Sequence, residues 1–461
     1  MTLLKSISGI RGTIGGTQGE NLTPNDIISF TAAFASLIKK KFPSPIVFVG
    51  RDGRDSGPMV QELVQQTLIS MGIDVLDAGL TTTPSLEMSV IKEKAQGGIM
   101  ITASHNPMNW NALKFMNESG EFIDATTGEE LLALSSLQIS YSPHDKIGKV
   151  TQYKKSIIHH ITAILKLKSV EPSLIQKRNF KIVVDAINST GSLSIPPLLE
   201  KLGCECILIN GDINGKFAHN PEPLPEHLGD LIAAVKKNKA DLGIIVDPDV
   251  DRLAFVCENG EPFGEEYTLV SIADFITSTQ KGNTVSNLSS TQALRDITIK
   301  NGGEYSASAV GEVNVVTKMK AVRAVIGGEG NGGIIYPELH YGRDAMVGIA
   351  LFLTQLAKFK KPVSLLRANY PDYMISKNKV ELTDKKQMDK IFRNLKEKYN
   401  KHKLNYEDGL RIDLDNDWVH LRQSNTEPII RIYAESNSQI VADHLAKKLI
   451  ADILEIQKSG R

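Results

Sequence analysis

The sequence contains little cysteine, no excess charge of either sign and no long apolar run. Three cysteines among 461 residues cannot form a disulfide framework, and Cys204 and Cys206 lack a second pair that would complete a metal site. We therefore expect free thiols in a reducing cytoplasm. Lys and Arg number 53, as do Asp and Glu, which argues against nucleic acid as a partner. No run approaches the roughly 18 apolar residues of a membrane span, and the amino terminus lacks a signal peptide.

The chain is too long for one compact core, and three of its segments have the same organisation. Residues 45–80, 180–212 and 282–311 each read as strand, small-residue turn, helix and strand. Such alternation favours mixed or parallel sheets covered by helices. From residue 373 onward the pattern changes to helix, strands and helix. The sequence thus predicts an α/β protein with three related α/β domains and a C-terminal α+β domain. The expected domains are 1–150, 151–256, 257–372 and 373–461.

A lone serine, Ser104, stands in the stretch ITASHNPMNWNALKF (101–115) just after an apolar segment. Such a serine is either an ordinary turn residue or a nucleophile presented to a ligand. This stretch alone does not distinguish the two interpretations.

Three aspartates follow an apolar strand in DLGIIVDPDVDRLAF (241–255), at positions Asp247, Asp249 and Asp251. At this spacing their carboxylates can converge on one hard cation such as Mg²⁺ or Ca²⁺. An EF-hand does not fit, because Arg252 stands where that loop needs glycine. Two alternatives stay open: a solvated acidic turn, and a phosphatase of the haloacid-dehalogenase type in which Asp247 is the nucleophile.

Two further loops carry side chains that suit a phosphorylated sugar. In GGEGNGGIIYPELHYGRDA (327–345), glycines let a ligand approach while Glu329 and Asn331 can hydrogen-bond hydroxyls. In RQSNTEPIIRIYAE (422–435), a guanidinium, hydroxyls and an amide suit a phosphate. Those side chains belong to Arg422, Ser424, Asn425 and Thr426. A plain turn is the alternative in both loops.

Two arginines near the amino terminus have different expected roles. Arg11 lies in the glycine-rich stretch SGIRGTIGG (8–16), which we expect to be a flexible loop that contacts a ligand. Arg54, in GRDGRDSG (50–57), is expected to form a structural ion pair. A cation beside a serine is most useful if the serine carries a phosphate, since the cation neutralises charge during phosphoryl transfer. Ser104 is therefore expected to carry a phosphoryl group.

The four stretches TASHNP, DPDVDR, GGEGNGG and RQSNTEP resemble, in this order, the signatures of the α-D-phosphohexomutase superfamily, the phosphoglucomutase/phosphomannomutase family. The resemblance covers the whole chain. It implies four domains around a central cleft and a phosphoserine at Ser104. One Mg²⁺ per chain would be held by this phosphate and by Asp247, Asp249 and Asp251.

The same resemblance implies roles in binding a phosphorylated hexose. Arg252 follows the metal loop as the family's arginine does, and Glu329 and Asn331 would read sugar hydroxyls. Lys114 and Arg11 would stabilise transferred charge or shuttle a proton. The non-reacting phosphate would be held by Arg422, Ser424, Asn425 and Thr426. The implied reaction interconverts hexose 6-phosphate and 1-phosphate through a bisphosphate, with a hexose bisphosphate as activator.

The chain departs from the family in the sugar loop. Many relatives have Ser-Gly-His where Asn331, Gly332 and Gly333 stand, so the acid/base duty of that histidine is left unassigned, and His340 is a candidate substitute. The loop resembles the acetylglucosamine-phosphate mutase branch and archaeal-type members. This favours a phosphoglucosamine mutase over a dual-specificity phosphoglucomutase/phosphomannomutase, with a non-catalytic sugar-phosphate sensor as a remote alternative. No interface stripe that would predict an oligomer stands out.

Overall fold

The computed structural model describes residues 2–6, 9–381, 388–423 and 429–458. Within them the strands form four sheets, of which three are mixed and the fourth is antiparallel. Helices cover these sheets. The predicted α/β fold class is confirmed.

The first sheet has seven strands. They are β1 (Leu4–Ser6), β2 (Gly9–Thr13), β3 (Ile46–Arg51), β4 (Asp74–Leu80), β5 (Gly97–Ile101), β6 (Trp110–Met116) and β7 (Val150–Gln152). Their order is β1-β2-β6-β5-β3-β4-β7. The helices of this part are α1 (Pro24–Lys41), α2 (Gly57–Ser70), α3 (Thr83–Glu93) and α4 (Ala125–Leu134). The central strands are buried, as the apolar run of β3 requires.

The second and third sheets have four strands each. The second section contains α5 (Ser156–Ile164), α6 (Pro172–Gln176), β8 (Lys181–Asp185), α7 (Gly191–Lys201), β9 (Glu205–Ile209), α8 (Gly229–Asn238), β10 (Leu242–Val246) and β11 (Leu253–Cys257). The third contains α9 (Glu265–Thr279), β12 (Asn283–Asn287), α10 (Ala293–Lys300), β13 (Tyr305–Ser308), α11 (Glu312–Val322), β14 (Ala324–Glu329), β15 (Gly333–Ile335), α12 (Ala345–Phe359) and α13 (Val363–Arg367).

One four-strand unit recurs in these three sheets. It appears as β6-β5-β3-β4, as β11-β10-β8-β9 and as β15-β14-β12-β13. In each unit the first two strands are antiparallel and the remaining neighbours are parallel. The three repeats seen in the sequence are the strand–helix–strand parts of this unit. The predicted boundaries at 150/151, 256/257 and 372/373 stay predictions; β7 pairs with the first sheet and β11 with the second.

The C-terminal section has a five-stranded antiparallel sheet in the order β16-β20-β19-β18-β17. Its elements are β16 (Met374–Glu381), α14 (Met388–Lys398), β17 (Lys403–Asn405), β18 (Leu410–Asp413), β19 (Trp418–Gln423), β20 (Ile429–Ser436) and α15 (Gln439–Lys458). The predicted order of helix, strands and helix is present from α14 onward, but it is preceded by β16, a strand that was not predicted. Within the described parts, no helix combines the length and apolar character needed to cross a membrane.

Helix α12 lies at the centre of the largest hydrophobic core. Every residue from 345 to 357 is buried, as expected for a helix that is apolar on all sides. The helix packs against α5, α6 and α9, and so joins the second and third sections. Asp344 caps its amino end by accepting hydrogen bonds from the backbone N–H groups of Met346 and Val347. This cap fixes the segment just before α12, which enters the site described next.

Candidate active site

Three of the predicted site loops occupy the same place in the recurring four-strand unit. Each joins the two antiparallel strands of its unit. The loop between β5 and β6 carries Ser104, and the loop between β10 and β11 carries the aspartates. The loop between β14 and β15 carries Asn331, and Glu329 is the last residue of β14, just before this loop. The fold thus presents three loops of different chemistry from equivalent positions.

Ser104 reaches the aspartate loop. Its Oγ donates a hydrogen bond to Asp247 Oδ2 at 2.6 Å, and its backbone N–H donates to Thr102 Oγ1 at 3.0 Å. The backbone of Ser104 has a φ of 49°, in the left-handed region that few non-glycine residues occupy. The structure therefore joins two residues that are far apart in the sequence, as the metal-and-serine hypothesis requires.

Arg54 holds the Ser104 loop in shape. Its guanidinium forms a buried ion pair with Asp52 at 3.1 Å, which confirms the structural role expected of it. Its terminal nitrogens donate to the backbone carbonyl oxygens of Ser104, Asn106, Pro107 and Trp110. Because one rigid, planar side chain satisfies four carbonyls, the loop is fixed around a single buried cation.

The metal loop turns back on itself at Val250, whose φ is 63°. This turn brings Asp247, Asp249 and Asp251 together, with ligand-type oxygens that all lie within 4.8 Å of one another. All three aspartates are fully buried. Asp247 Oδ1 accepts hydrogen bonds from the backbone N–H groups of Asp251 and Arg252, each at 3.1 Å. The loop thus uses one of its own carboxylates to hold its shape.

Within the described part of the chain, Asp249 and Asp251 each have one carboxylate oxygen with hydrogen-bond partners and one without. Asp249 Oδ2 accepts from Lys114 Nζ at 2.7 Å and from Thr83 Oγ1 at 2.6 Å, and Asp251 Oδ2 accepts from Arg343 Nη2 at 2.7 Å. Asp249 Oδ1 and Asp251 Oδ1 are buried and have no hydrogen-bond partner among the described residues. Two buried, unpartnered carboxylate oxygens beside Asp247 fit a hard divalent cation such as Mg²⁺.

The protonation equilibria of the triad reflect its crowding. Burial, together with the charges of Asp251 and Asp249, raises the pKa of Asp247 well above its ordinary value. Burial alone would also raise the pKa of Asp249, but the adjacent Lys114 ammonium outweighs it and holds that pKa below the usual range. A bound divalent cation would remove the repulsion that raises the pKa of Asp247.

Lys114 extends from β6 to the metal loop. Its Nζ lies 2.7 Å from Asp249 Oδ2 and 3.5 Å from Asp251 Oδ2. Burial disfavours the charged ammonium, but attraction to these two carboxylates is stronger and raises its pKa. Lys114 is therefore a cation held against two of the three aspartates of the triad.

Arg252 and His105 flank the same loops. The Arg252 guanidinium pairs with Glu222 through Nη1 at 2.9 Å, and its buried Nε has no hydrogen-bond partner in the described part of the chain. His105 Nδ1 lies 3.4 Å from Ser104 Oγ. Burial and the positive charges of Arg252 and Arg11 lower the pKa of His105 well below its ordinary value. The imidazole next to Ser104 is thus neutral at physiological pH.

The sugar-loop carboxylate is held from three directions. Glu329 Oε1 accepts from Asn287 Nδ2 at 2.9 Å and from the Gly311 N–H at 3.0 Å, and Oε2 accepts from Arg343 Nη1 at 2.9 Å. Asn331 Oδ1 accepts from the Gly333 N–H at 3.2 Å. Glu329 is therefore held in one orientation by residues of the protein itself.

Arg11 lies in a strand rather than in the flexible loop expected from its glycine neighbours. In β2 its backbone pairs with Leu4 on one side and Ala112 on the other. Gly12 serves close packing, since a Cβ there would lie 3.1 Å from the Leu22 backbone nitrogen. Burial and the nearby Arg252 and Arg343 lower the pKa of Arg11. The Arg11 side chain is thus close enough to the charged groups of the metal loop to interact with them electrostatically.

The predicted phosphate loop is described only in part. Arg422 lies in β19, where its Nε pairs with Asp408 Oδ2 at 2.8 Å. Asp408 Oδ2 also accepts from the Val310 N–H at 2.9 Å, and the next residue, Gly311, donates to Glu329. Ser424, Asn425 and Thr426 lie outside the described residues.

His340, the candidate substitute for the absent sugar-loop histidine, faces a different cluster. Its Nε2 lies 3.3 Å from Asp344 Oδ2 and its Nδ1 lies 3.2 Å from Glu87 Oε2. Asp344 Oδ2 also accepts from His160 Nε2 at 2.8 Å, and His160 Nδ1 lies 3.0 Å from Ser85 Oγ. The ring of His340 is thus engaged with residues of this second cluster rather than with the sugar loop.

Several residues of the site carried no signal that the sequence analysis used. Thr83 and Arg343 both contact the triad, and Glu312 binds Arg343. His105 could have been found, since it directly follows Ser104. The others come from distant segments, and only the fold brings them to the metal loop.

The chain is similar to known proteins over most of its length. Profiles of the phosphoglucomutase/phosphomannomutase family match it in sequence order: alpha/beta/alpha domain I over residues 3–136, domain II over 157–260, domain III over 264–373 and the C-terminal domain over 378–451. A phosphoglucomutase/phosphomannomutase of Thermococcus kodakarensis is 34% identical, over 93% of this chain and 94% of the relative. A probable phosphoglucosamine mutase of Methanopyrus kandleri is 32% identical, over 96% of each chain.

A solved structure gives the same result. A phosphoglucomutase/phosphomannomutase family protein of Burkholderia thailandensis superposes with a TM-score of 0.84 at 25% identity, over 98% of each chain. The fold and the relatives define the class of protein, a phosphohexomutase, which is an isomerase that acts by intramolecular phosphotransfer. The chain belongs to the phosphoglucomutase/phosphomannomutase family.

Proposed function

We propose that the protein interconverts hexose 6-phosphates and hexose 1-phosphates through a phosphoserine at Ser104, and that glucosamine phosphate is its preferred substrate. The observation that carries the proposal is the contact of Ser104 Oγ with Asp247 Oδ2 at 2.6 Å, inside a buried aspartate triad. A nucleophile beside a cation site, in a loop fixed by Arg54, suits reversible phosphoryl transfer.

The reaction consists of two transfers. Phospho-Ser104 gives its phosphoryl group to a free hydroxyl of the bound hexose phosphate, which forms a hexose bisphosphate. After the sugar reverses its orientation, the Ser104 hydroxyl accepts the other phosphoryl group. Lys114, kept cationic by Asp249 and Asp251, stabilises charge on the group in transit, and Arg11 adds positive charge near Asp249. A hexose bisphosphate would restore phospho-Ser104 and so act as an activator.

Mg²⁺ is the cation that we assign to Asp247, Asp249, Asp251 and the Ser104 phosphate, because two triad oxygens are buried without partners. When bound, it would neutralise charge on the phosphoryl oxygens. Glu329 and Asn331 would bind sugar hydroxyls, and Arg252 would also contact the substrate. The non-reacting phosphate would be held by Arg422, Ser424, Asn425 and Thr426. The free thiols of Cys204, Cys206 and Cys257 are consistent with a reducing cytoplasm.

The choice of glucosamine rests on the sugar loop and on one relative. Asn331 resembles the residue of the acetylglucosamine-phosphate mutase branch, and the relative from Methanopyrus kandleri is named a probable phosphoglucosamine mutase. The rival is a dual-specificity enzyme, which the name of the relative from Thermococcus kodakarensis favours. Both agree on the chemistry at Ser104 and differ only in the sugar.

The test is a set of initial rates on glucosamine, glucose and mannose phosphates, with Mg²⁺ and a matching bisphosphate. A kcat/KM preference of about tenfold or more for the amino sugar, roughly 1.4 kcal/mol of transition-state discrimination, would support the glucosamine assignment. Equal or better turnover of glucose or mannose phosphates would establish the dual-specificity enzyme instead. Absence of mutase activity on all three would indicate a non-catalytic sugar-phosphate sensor.

A further inference from the structure

Arg343, which directly precedes the cap residue of α12, connects three carboxylates from three different segments. Its Nη2 lies 2.7 Å from Asp251 Oδ2, its Nη1 lies 2.9 Å from Glu329 Oε2, and its Nε lies 2.9 Å from Glu312 Oε2. Its backbone N–H also donates to Glu312 Oε1 at 3.3 Å. The side chain is 10% exposed, so these pairs are shielded from solvent. One guanidinium therefore joins the metal loop, the start of α11 and the sugar loop.

The stem of Arg343 occupies the space beside Gly333. A Cβ at position 333 would overlap Arg343 Cδ, lie 3.0 Å from Arg343 Cγ and lie 3.2 Å from Asn331 Oδ1. The stem cannot move aside easily, because three ion pairs fix the head of the side chain and the capped helix fixes its backbone. Gly333 and Arg343 are thus sterically matched: the arginine fills a volume that only glycine leaves open.

The bonding of Arg343 determines how both loops present their oxygens. At Asp251 it occupies Oδ2, which leaves the buried Oδ1 without a partner and available to a cation. At Glu329 it occupies Oε2, while Asn287 and Gly311 bind Oε1, so the carboxylate is held in one orientation. A displacement of either loop would therefore be transmitted to the other through one rigid, planar group.

We propose that Arg343 is a positioning residue that couples the metal loop to the sugar-binding Glu329, and that residue 333 is a glycine because Arg343 needs its space. The inference rests on the proposed function for its link to sugar binding, but its link to the metal loop does not depend on turnover. Without the guanidinium, the buried carboxylates of Asp251, Glu312 and Glu329 would lose the cation that they share. Cation binding and sugar binding would then weaken together.

The first experiment compares Arg343→Lys and Gly333→Ala with the unaltered full-length chain. Lysine keeps the charge but cannot bind three carboxylates in one plane, and alanine displaces the arginine stem. We expect each variant to raise the Kd for Mg²⁺ by about tenfold or more in calorimetric titration. At saturating Mg²⁺, we expect each to raise the KM for the hexose phosphate as well. Arg295→Lys is the matched control, since the Arg295 side chain is 42% exposed and pairs with Asp296 of α10 and with Gln292, which precedes that helix.

A purely structural role for Arg343 predicts a different result. In that case the thermal unfolding temperature would fall, while the Kd for Mg²⁺ and the KM would stay within about twofold of the unaltered chain. That result would overturn the proposal. If the unaltered chain shows no mutase activity, the proposed function fails, but the Mg²⁺ titrations still decide the coupling at the metal loop.

The second experiment tests the steric match with a double-mutant cycle. Gly333→Ala acts through the Arg343 stem, so it should cost little further Mg²⁺ affinity once Arg343→Ala has removed that stem. We expect the double variant to bind Mg²⁺ within about twofold of Arg343→Ala alone. If the loss of Mg²⁺ affinity in the double variant instead equals the product of the two single losses, Gly333 acts independently of Arg343. That result would refute the steric match. If Arg343→Ala does not fold, the cycle is run with Arg343→Ser by the same criterion.

Discussion

Two buried clusters of metal-ligand-type side chains lie on either side of the segment that leads into α12, and they are bonded in opposite ways. In the first, Asp249 and Asp251 each keep one buried oxygen without a partner among the described residues. In the second, both oxygens of Asp344 are occupied, one by the backbone of α12 and one by His160 and His340. Both clusters have atoms close enough to hold a metal ion.

The difference shows that proximity of ligand-type atoms does not by itself make a binding site. The Asp344 cluster uses its oxygens to cap a helix and to join α3, α5 and α12, so its bonding capacity serves the fold. The Asp251 cluster has cations, Lys114 and Arg343, on one set of oxygens and leaves the other set open. A buried carboxylate oxygen without a hydrogen-bond partner lowers the stability of the fold unless a ligand binds it.

The largest contrast is expected between two serines, one in each cluster. Ser104→Ala removes the proposed phosphoryl carrier, so turnover should fall by about a thousandfold or more, and the purified protein should carry no phosphoserine by mass spectrometry. Ser85→Ala, which alters the hydroxyl beside His160, should keep turnover close to that of the unaltered chain. Full activity in Ser104→Ala would remove the central claim.

The next contrast is between two aspartates. Asp251→Asn removes a carboxylate with an open oxygen, and we expect the Kd for Mg²⁺ to rise by about a hundredfold in calorimetric titration. Asp344→Asn removes a buried carboxylate whose two oxygens are both hydrogen-bonded, so it should lower the free energy of unfolding by about 3 kcal/mol and leave Mg²⁺ affinity nearly unchanged. An equal loss of Mg²⁺ affinity in both variants would contradict the division between the clusters.

Addition of Mg²⁺ should stabilise the protein through the first cluster alone. At a concentration about a hundredfold above its Kd, a ligand that binds only the folded state adds about 2.7 kcal/mol of stability, and thermal unfolding would move upward accordingly. EDTA should reverse the shift. Asp251→Asn should abolish it, whereas His160→Gln should retain it. If His160→Gln abolished the shift, the cation would bind at the second cluster and not at the first.

The smallest effect is a pH dependence of stability that originates in the second cluster. Burial raises the pKa of Glu87 to about 8. Burial opposes the charging of His340, but its interactions with the carboxylates of Asp344 and Glu87, which accept from the imidazole, outweigh burial and raise the pKa of His340 to about 10. Both groups bind protons more tightly in the folded state, so the stabilisation is complete at low pH and is lost as pH rises through these values.

Differential scanning calorimetry between pH 6.5, the ordinary pKa of histidine, and pH 10 tests this dependence. The unfolding temperature should fall across that interval, and the fall should shrink in the double variant Glu87→Gln with His340→Gln. A rise in the unfolding temperature, or the same fall in the double variant, would show that other groups control the stability.

The fold and the main loops could be predicted because their signals are local. The repeats at 45–80, 180–212 and 282–311 carry strand, turn and helix patterns within a few dozen residues, and the structure has the corresponding elements. Ser104 and the three aspartates follow apolar strands directly, so their exposure at strand ends is encoded beside them. Local patterning was enough to identify them.

The residues that the sequence predicted wrongly or did not reveal are determined by contacts between distant parts of the chain, which local patterns do not encode. Arg343 binds Asp251 across 92 residues, and the reason that position 333 is glycine lies in the Arg343 stem. Arg11 was expected in a flexible loop, but its glycine neighbours serve close packing within a sheet. The equivalence of three loops, one from each four-strand unit, becomes visible only when the strand order is known.

The two hydrogen bonds that Asp247 Oδ1 accepts offer a way to measure the opening of the metal loop. The amide protons of Asp251 and Arg252 both point at this oxygen, so their exchange with solvent requires the turn at Val250 to open. Hydrogen exchange at these two amides would therefore measure how often the loop opens, without a substrate and without turnover. Since Asp247 also accepts a hydrogen bond from Ser104 Oγ, the same rate would report the opening of the loop that holds the Ser104 hydroxyl.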